Sequence, residues 1–354
     1  MTWENIASAL LFAAAGMGLL VIVANRWLID MREGWHKLPL IGLVGAGLTL
    51  APATAGFVAG DTWWTVAPVL VLGGIAAGET HRAWLRRRFR GAAPVERHNH
   101  GVALARPVTT TDLAVARFEI ELPDWHDTHL RIAHISDLHV NDALPRAFYL
   151  EMWQRVAAAA PDLLLITGDF INHAEEIPIL DEVLAARPRG MRTFAVFGNH
   201  DYWSAPDQVR ASLARADIDV LGNGHRRLAR EGHPCVIIAG CEDPWSPSRW
   251  SPAVKKRGDA LLVLSHTADN IYPLNRAGAD AVFSGHYHAG QVRIPRLGSL
   301  VVPSLFGRRF DHGHFNVNGT HLFVTAGIGS APALRIYCQP DLFVVDIMGR
   351  GSDE

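Results

Sequence analysis

The chain has 354 residues, enough for two average domains or for one large domain with an appendage. Its 33 basic and 35 acidic side chains nearly cancel, and a net charge of -2 gives no global pull toward nucleic acid. Three irregularly spaced cysteines exclude a disulfide framework and a paired-cysteine zinc site, and the composition excludes disordered and collagen-like classes.

Charge is unevenly distributed. Residues 1–78 carry seven charged side chains, whereas the remaining 276 positions carry 61. Uncharged runs cover 6–24, 38–60 and 62–78, with only Asp61 between the last two. A bilayer-crossing helix needs roughly 17–25 apolar residues, so the spacing predicts a membrane anchor of three transmembrane helices over 1–78. Pro52 and Pro68 would kink or shorten their helices, and Trp63 and Trp64 sit where indole rings favour a membrane interface. Glu4 is the only charge before position 6, which disfavours a cleaved secretory signal, and no twin-arginine pair precedes the first run.

Basic residues set the expected orientation. Arg26, Arg32 and Lys37 follow the first run, the short 60–62 turn carries no basic residue, and Arg82, Arg86, Arg87, Arg88 and Arg90 follow the third. Three spans with both basic stretches on the cytoplasmic side give a multi-pass membrane protein with an external N-terminus and a C-terminal domain facing the cytoplasm. Residues 79–115 read as a basic juxtamembrane linker that touches membrane lipid headgroups.

From about position 116 the pattern turns to short apolar strands separated by amphipathic stretches. Strands are expected at 117–122, 130–135, 163–167, 193–197, 235–239, 261–264 and 281–283. Others are expected near 300–302, 313–317, 322–325 and 342–346. Helices are expected at 146–159 and 177–186 from apolar spacing at i, i+3 and i+4. Alternation of strand and helix gives βαβ units, with a second mixed sheet from the strand-rich C-terminal third.

The chemistry sits at strand ends. Asp137 and His139 follow the 130–135 strand; Gly168–Asp169 and Gly198–Asn199–His200–Asp201 close the next two. Ser265–His266 and Gly285–His286–Tyr287–His288 close two more. In open α/β sheets ligands bind at that edge. Carboxylates, imidazoles and one amide suit borderline-to-hard divalent ions such as Mn, Fe or Zn. Each pair taken singly is an ordinary turn or core histidine; it is the ordered set of five that points to a site.

This order of motifs, D-x-H, G-D, G-N-H-[DE], a lone His and G-H-x-H, resembles the calcineurin-like metallophosphoesterase superfamily over about 130–346. The wording Ile-Ser-Asp-Leu-His at 135–139, Leu-Ser-His at 264–266 and Gly-His-Tyr-His-Ala-Gly-Gln at 285–291 is similar to its bacterial membrane-associated phosphodiesterase branch. So is the stretch from Val324 through Arg335 to Pro340. Tyr287 and Ala289 stand where that branch usually has Thr and Gly. The resemblance implies an α/β sandwich of two mixed sheets flanked by helices over 116–354, behind the N-terminal transmembrane helices. It implies two divalent metal ions, Mn first and Fe or Zn as alternatives. Asp137, His139, Asp169 and His288 would hold one, and Asp169, Asn199, His266 and His286 the other. A hydroxide bridging the two ions would attack phosphorus. His200 would protonate the leaving oxygen and Asp201 would orient it. Members of that branch cleave phosphodiesters or pyrophosphates, and one membrane-anchored class removes UMP from UDP-2,3-diacylglucosamine, a lipid-linked substrate.

Two competing functions are weaker. A non-catalytic scaffold should have lost ligands, and all seven ligand positions are intact; a nuclease should carry a basic stripe. A soluble phosphoester substrate stays open, and the residues say nothing about oligomeric state. His134 reads as a core residue. Arg308, Arg309, His312 and His314 read either as substrate contacts or as a polar loop. The tryptophan- and base-rich segment 245–257 reads either as a lipid-leaning loop or as plain surface.

Overall fold

The structure, a computed structural model, describes residues 2–28, 31–32, 36–59, 63–98, 104–125, 129–230 and 233–349. It divides into two compact units: Met1–Arg88 with Val301–Arg309, and Phe89–Leu300 with Phe310–Glu354.

In the helical unit, Trp3–Leu28 and Lys37–Val58 are long and apolar enough to cross a membrane, at 26 and 22 residues. The second passes Pro52 without a break. Proline has no N–H to give, and the turn Ala46–Leu50 just before it is π-helical, closed by the bond from the Ala51 N–H to the Ala46 carbonyl. Of the third expected span the structure shows the helix Val66–Phe89, apolar to Gly78 and basic in its last turn through Arg86, Arg87 and Arg88. Arg82, Arg86, Arg87 and Arg88, expected in a linker, are therefore helical, whereas Arg90 follows the helix. The 60–62 turn with Asp61, and parts of the loop between the first two helices, lie outside the described residues. Val301–Arg309 joins this unit through side-chain and backbone bonds. The Val302 N–H donates to Asn25 Oδ1 at 3.0 Å, Arg308 pairs with Glu79 at 2.9 Å, and Arg86 donates to the Arg308 carbonyl at 3.0 Å.

The second unit is built on two mixed sheets. From edge to edge the first runs Glu96–His98, Ala114–Leu122, Asp341–Gly349, His129–Ile135, Leu163–Thr167, Arg192–Val196, Asp219–Val220. The last four are mutually parallel, as βαβ crossovers require. The second sheet runs Gly313–Val317, Thr320–Val324, Ala281–Ser284, Ala260–Ser265, His233–Cys241, His225–Arg230. Alternation along the strands fills two cores. Ile132, Leu163, Leu165, Phe194 and Val196 meet Ile238, Leu262, Leu264, Phe283 and Phe323 of the other sheet. Their neighbours Ala133, Ile135, Leu164, Ile166 and Ala195 pack on Met152, Trp153, Leu180, Val209 and Leu213. Strands covered on both faces must read as unbroken apolar runs, which is why they were legible.

Helices Arg146–Ala158 and Ile177–Ala185 match their expected spans to within a residue. The strand expected near 300–302 does not form. A two-stranded ribbon, Arg293–Ile294 with Gly298–Ser299, precedes it, and the chain then enters the helical unit. Helix Pro206–Arg215 and the edge strand His225–Arg230 were not expected.

Candidate metal centre

Five loops leave the C-terminal strand ends and are laced together by their backbones. The Asp137 N–H donates to the Gly168 carbonyl at 2.9 Å, His139 to Asp169 at 3.0 Å, and Gly285 to His266 at 2.9 Å. Side chains are excluded where loops meet. A Cβ on Gly168 would lie 2.4 Å from the Gly198 nitrogen, and one on Gly285 2.1 Å from Asp137 Oδ2. Asp137, His139, Asp169, His286 and His288 all have positive φ, between 37° and 67°. Non-glycine residues hold this conformation at a cost, and here the cost turns five polar side chains inward at one edge.

The result is two groups whose ligand atoms each lie within 4.8 Å of one another: Asp137, His139 and His288, and Asp169, His266 and His286. Asp169 stands between them, its Oδ2 3.1 Å from His266 Nε2 and 3.5 Å from His139 Nε2. Asn199 Oδ1 lies 3.1 Å from His266 Nε2, and His288 Nε2 lies 3.5 Å from Asp137 Oδ1. The outer ring nitrogens are held in turn. His139 Nδ1 donates to Asn172 Oδ1 at 2.7 Å and His266 Nδ1 to the Thr167 carbonyl at 2.6 Å, so both Nε2 atoms face the centre. Arg335, wholly buried, faces His288 Nδ1 at 3.2 Å and donates to the carbonyls of Gly327 and Gly329.

The electrostatics call for a cation. Among the described residues every ion pair of Asp137 and Asp169 is with a histidine. Burial lowers His139 to about 3 and drives His286 and His288 well below the usual imidazole range, so these rings are neutral bases. Burial raises Asp137 to about 6. It also opposes the charge on His266, yet the attraction and hydrogen bond of Asp169 and the charge of Asp137 lift that ring to about 10. The protein alone thus places a proton among its carboxylates, where a divalent ion would satisfy both oxygens and nitrogens. By this donor chemistry the residues fit a two-metal centre.

The other expected site residues reach the same edge with different tasks. His200 rests edge-on to His139 with ring centres 4.9 Å apart and 5.3 Å from Trp203, while its N–H donates to Asp169 Oδ1 at 2.9 Å. Asp201 was expected to orient His200. Its buried carboxyl group accepts from the backbone N–H groups of Asp169, Phe170 and Gly198 at 2.8–2.9 Å, fastening two of these loops together.

Several contributors had no sequence signal of their own. Asn172 and Arg335 are described above. Glu242 binds the Phe197 N–H at 2.6 Å and the Tyr202 hydroxyl at 2.5 Å behind the 198–201 loop. Trp245, read from the sequence as part of either a lipid-leaning loop or plain surface, lies edge-on to His266 and His286, with centres 5.5 and 5.1 Å away. Lys255 of the same segment pairs with Asp280. His134 is a core residue, with Nε2 2.9 Å from Thr167 Oγ1 and its ring against Phe283; burial lowers it to about 3. The Arg308–His314 stretch does not act as one cluster. Arg308 pairs with Glu79, His312 with Asp341 at 2.6 Å, and His314 stacks on His321.

A family model described as calcineurin-like phosphoesterase matches residues 130–290. The phosphodiesterase YaeI of Escherichia coli is 26% identical over 223 residues, covering 62% of this chain and 82% of that protein. The UDP-2,3-diacylglucosamine pyrophosphatase LpxG of Chlamydia muridarum is 27% identical over 295 residues, covering 66% and 88%. An uncharacterized metallophosphoesterase of Aquifex aeolicus is 30% identical over 258 residues, covering 68% and 94%.

Proposed function

Because this chain belongs to the calcineurin-like phosphoesterase family and is a metal-dependent phosphoesterase, we propose that it is a membrane-anchored hydrolase of a lipid-linked phosphodiester or pyrophosphate. The observation that carries this reading is the Asp169 carboxylate, set within 3.5 Å of a histidine from each ligand group. The family's site is dinuclear. We assign Asp137, His139, Asp169 and His288 to one divalent ion and Asp169, Asn199, His266 and His286 to the other, with Mn ahead of Fe and Zn. Bound there, the ions supply positive charge to the phosphoryl oxygens and acidify water at the site.

The chain's own groups do the rest. Asn172 and the Thr167 carbonyl keep two imidazoles in the ligating tautomer. Trp245 covers His266 and His286, limiting water on that flank. His200, half-buried with its ring beside His139 and Trp203, would give a proton to the departing oxygen. The lipid-linked reading is supported by the two apolar helices and by the activity in the printed name of the Chlamydia relative. An anchor raises the effective concentration only of substrates in the same membrane surface. The basic residues after the first and third apolar runs support a third span through 62–78 and a catalytic unit facing the cytoplasm.

The test is kcat/KM of the full chain in vesicles for UDP-2,3-diacylglucosamine and for its deacylated counterpart, with metal content measured on the same sample. A strong preference for the acylated compound is expected; equal values, or a preference for the soluble one, would overturn the lipid-linked reading. For orientation, a C-terminal reporter should be active in the cytoplasm and one at position 61 outside; the reverse pattern would overturn the topology.

A further inference from the structure

The His288 side of the centre carries a surface that its chemistry does not use. Val108 and Val292 each bridge to Ile336, forming a three-strand strip that continues into the ribbon Arg293–Ile294 and Gly298–Ser299. Directly bridged residues point to one face, and alternation adds Ile294 and Leu334 to it. Val108, Val292, Ile294, Leu297, Leu300 and Leu334 are 40–58% exposed. Arg106 and Arg296, both exposed, stand among them in the chain. Single exposed aliphatics need no explanation, but six on one short strip do. The strip is fastened to the ligand loop: Gln291 donates to the carbonyls of Pro332 and Leu334, and Arg293 to that of Ala289, next to His288.

We propose that this strip is a membrane-contacting surface, its aliphatics entering the interfacial layer of a phospholipid bilayer with Arg106 and Arg296 at the headgroups. Chain continuity selects a bilayer as the occupant. Leu300 is followed at once by Val301–Arg309, which belongs to the unit with the two apolar helices. Within that unit the segment binds Asn25, near the end of the first apolar helix, and Glu79, the first charge after the apolar stretch of the third. Both contacts mark the level at which the helices leave an apolar layer. Leu297 is four residues from Val301, at most about 14 Å of extended chain. Aliphatic residues flanked by arginines are what an interfacial surface requires. The strip would bring the rim beside His288 to substrates held in that layer. The inference rests on the reading that the apolar helices lie in a bilayer.

The test uses the full chain, with Cys235 replaced by serine and the other two cysteines buried. Single cysteines are placed by Leu297→Cys in the strip, Met17→Cys in the first helix and Leu150→Cys on the helix Arg146–Ala158, and each is labelled with a fluorophore. All three positions are exposed. In single-copy nanodiscs of anionic phospholipid, spin-labelled lipid should quench the labels at 17 and 297, and aqueous iodide should quench only the label at 150. Lipid quenching at 17 with iodide quenching at 297 would overturn the inference and leave the anchor standing. Iodide quenching at both would overturn both. A label at 297 shielded from both quenchers in crowded vesicles, but open to iodide in single-copy nanodiscs, would mean that a second copy covers the strip, and would overturn the bilayer as its occupant.

Discussion

Asp169 and Asp346 are both carboxylates 1% exposed to solvent, and their surroundings are opposite. Asp346, on the strand Asp341–Gly349, accepts from Arg117 at 2.6 Å and from Arg131 and His129 at 2.7 Å each. Its charge is matched by guanidinium groups fixed on neighbouring strands. Among the described residues the ion pairs of Asp169 are all with imidazoles, and its Oδ1 accepts from the His200 backbone N–H. A buried anion that brings its own cations ties strands together. One matched only by a proton on a ligand-type ring, as Asp169 is by His266, carries a charge that a metal ion can take over, and that difference separates a structural network from a metal centre.

The sharpest way to break the comparison is to neutralise each carboxylate. Asp169→Asn should abolish hydrolysis and release metal, because the group shared between the two sites is lost. In the presence of chelator the same variant should unfold more easily than the parent at pH 7, since the carboxylate that holds the buried His266 ring in its charged form is gone. Unchanged chelated-state stability would show that the Asp169–His266 pair contributes nothing without metal. His200→Ala should lower kcat by roughly 10²–10⁴-fold while metal analysis stays unchanged, as expected for a proton donor outside the ligand set. Loss of a metal from that variant would move His200 into the ligand set. A smaller effect follows behind His139. Asn172→Ala removes the acceptor that fixes its tautomer and should weaken metal binding by roughly 10–100-fold, read by competition with a chelator. Unchanged affinity would show that burial alone holds the ring.

The ligands in this comparison were legible in the sequence and their supports were not, for a physical reason. Asp137, Asp169, Asn199, His266 and His288 follow apolar strands directly, so a motif and the strand before it lie in one local window. The two-sided burial of those strands wrote them as unbroken apolar runs. Arg335 reaches His288 from 47 residues downstream, and Asn172 acts on His139 from 33 away. Neither distance has a local pattern. Composition misled where it could not see the partner. Trp245 looked like an interfacial tryptophan among bases, yet its ring faces two histidines. The 300–302 run looked like a strand, yet the chain there leaves the sheets for the helical unit. Asp201 sat in the right motif, but only the fold reveals that its two oxygens accept from three backbone N–H groups.

Asp346 gives the cleanest sign. Burial alone would raise its pKa, but hydrogen bonds from Arg131, Arg117 and His129 and the charge of Arg131 outweigh it and hold the carboxyl below its ordinary value. The other charges near this network are Glu119, paired with Arg117, and Glu96, which also acts on Arg117. A carboxyl more acidic in the folded than in the unfolded chain stabilises the fold at pH values above its unfolded value, near 4. That contribution is lost as pH falls through the folded value. Asp346→Asn should therefore cost about 1.5–3 kcal/mol at pH 7, the range for hydrogen bonds to a charged group. At pH 3 the gap between variant and parent should narrow, because the parent carboxyl is itself being protonated there. Urea unfolding of both proteins at the two pH values, with chelator present throughout, measures the gap without interference from the metal centre. A gap that is equal at pH 3 and pH 7 would mean that the arginines hold Asp346 by shape rather than charge, and the contrast with Asp169 would then reduce to geometry.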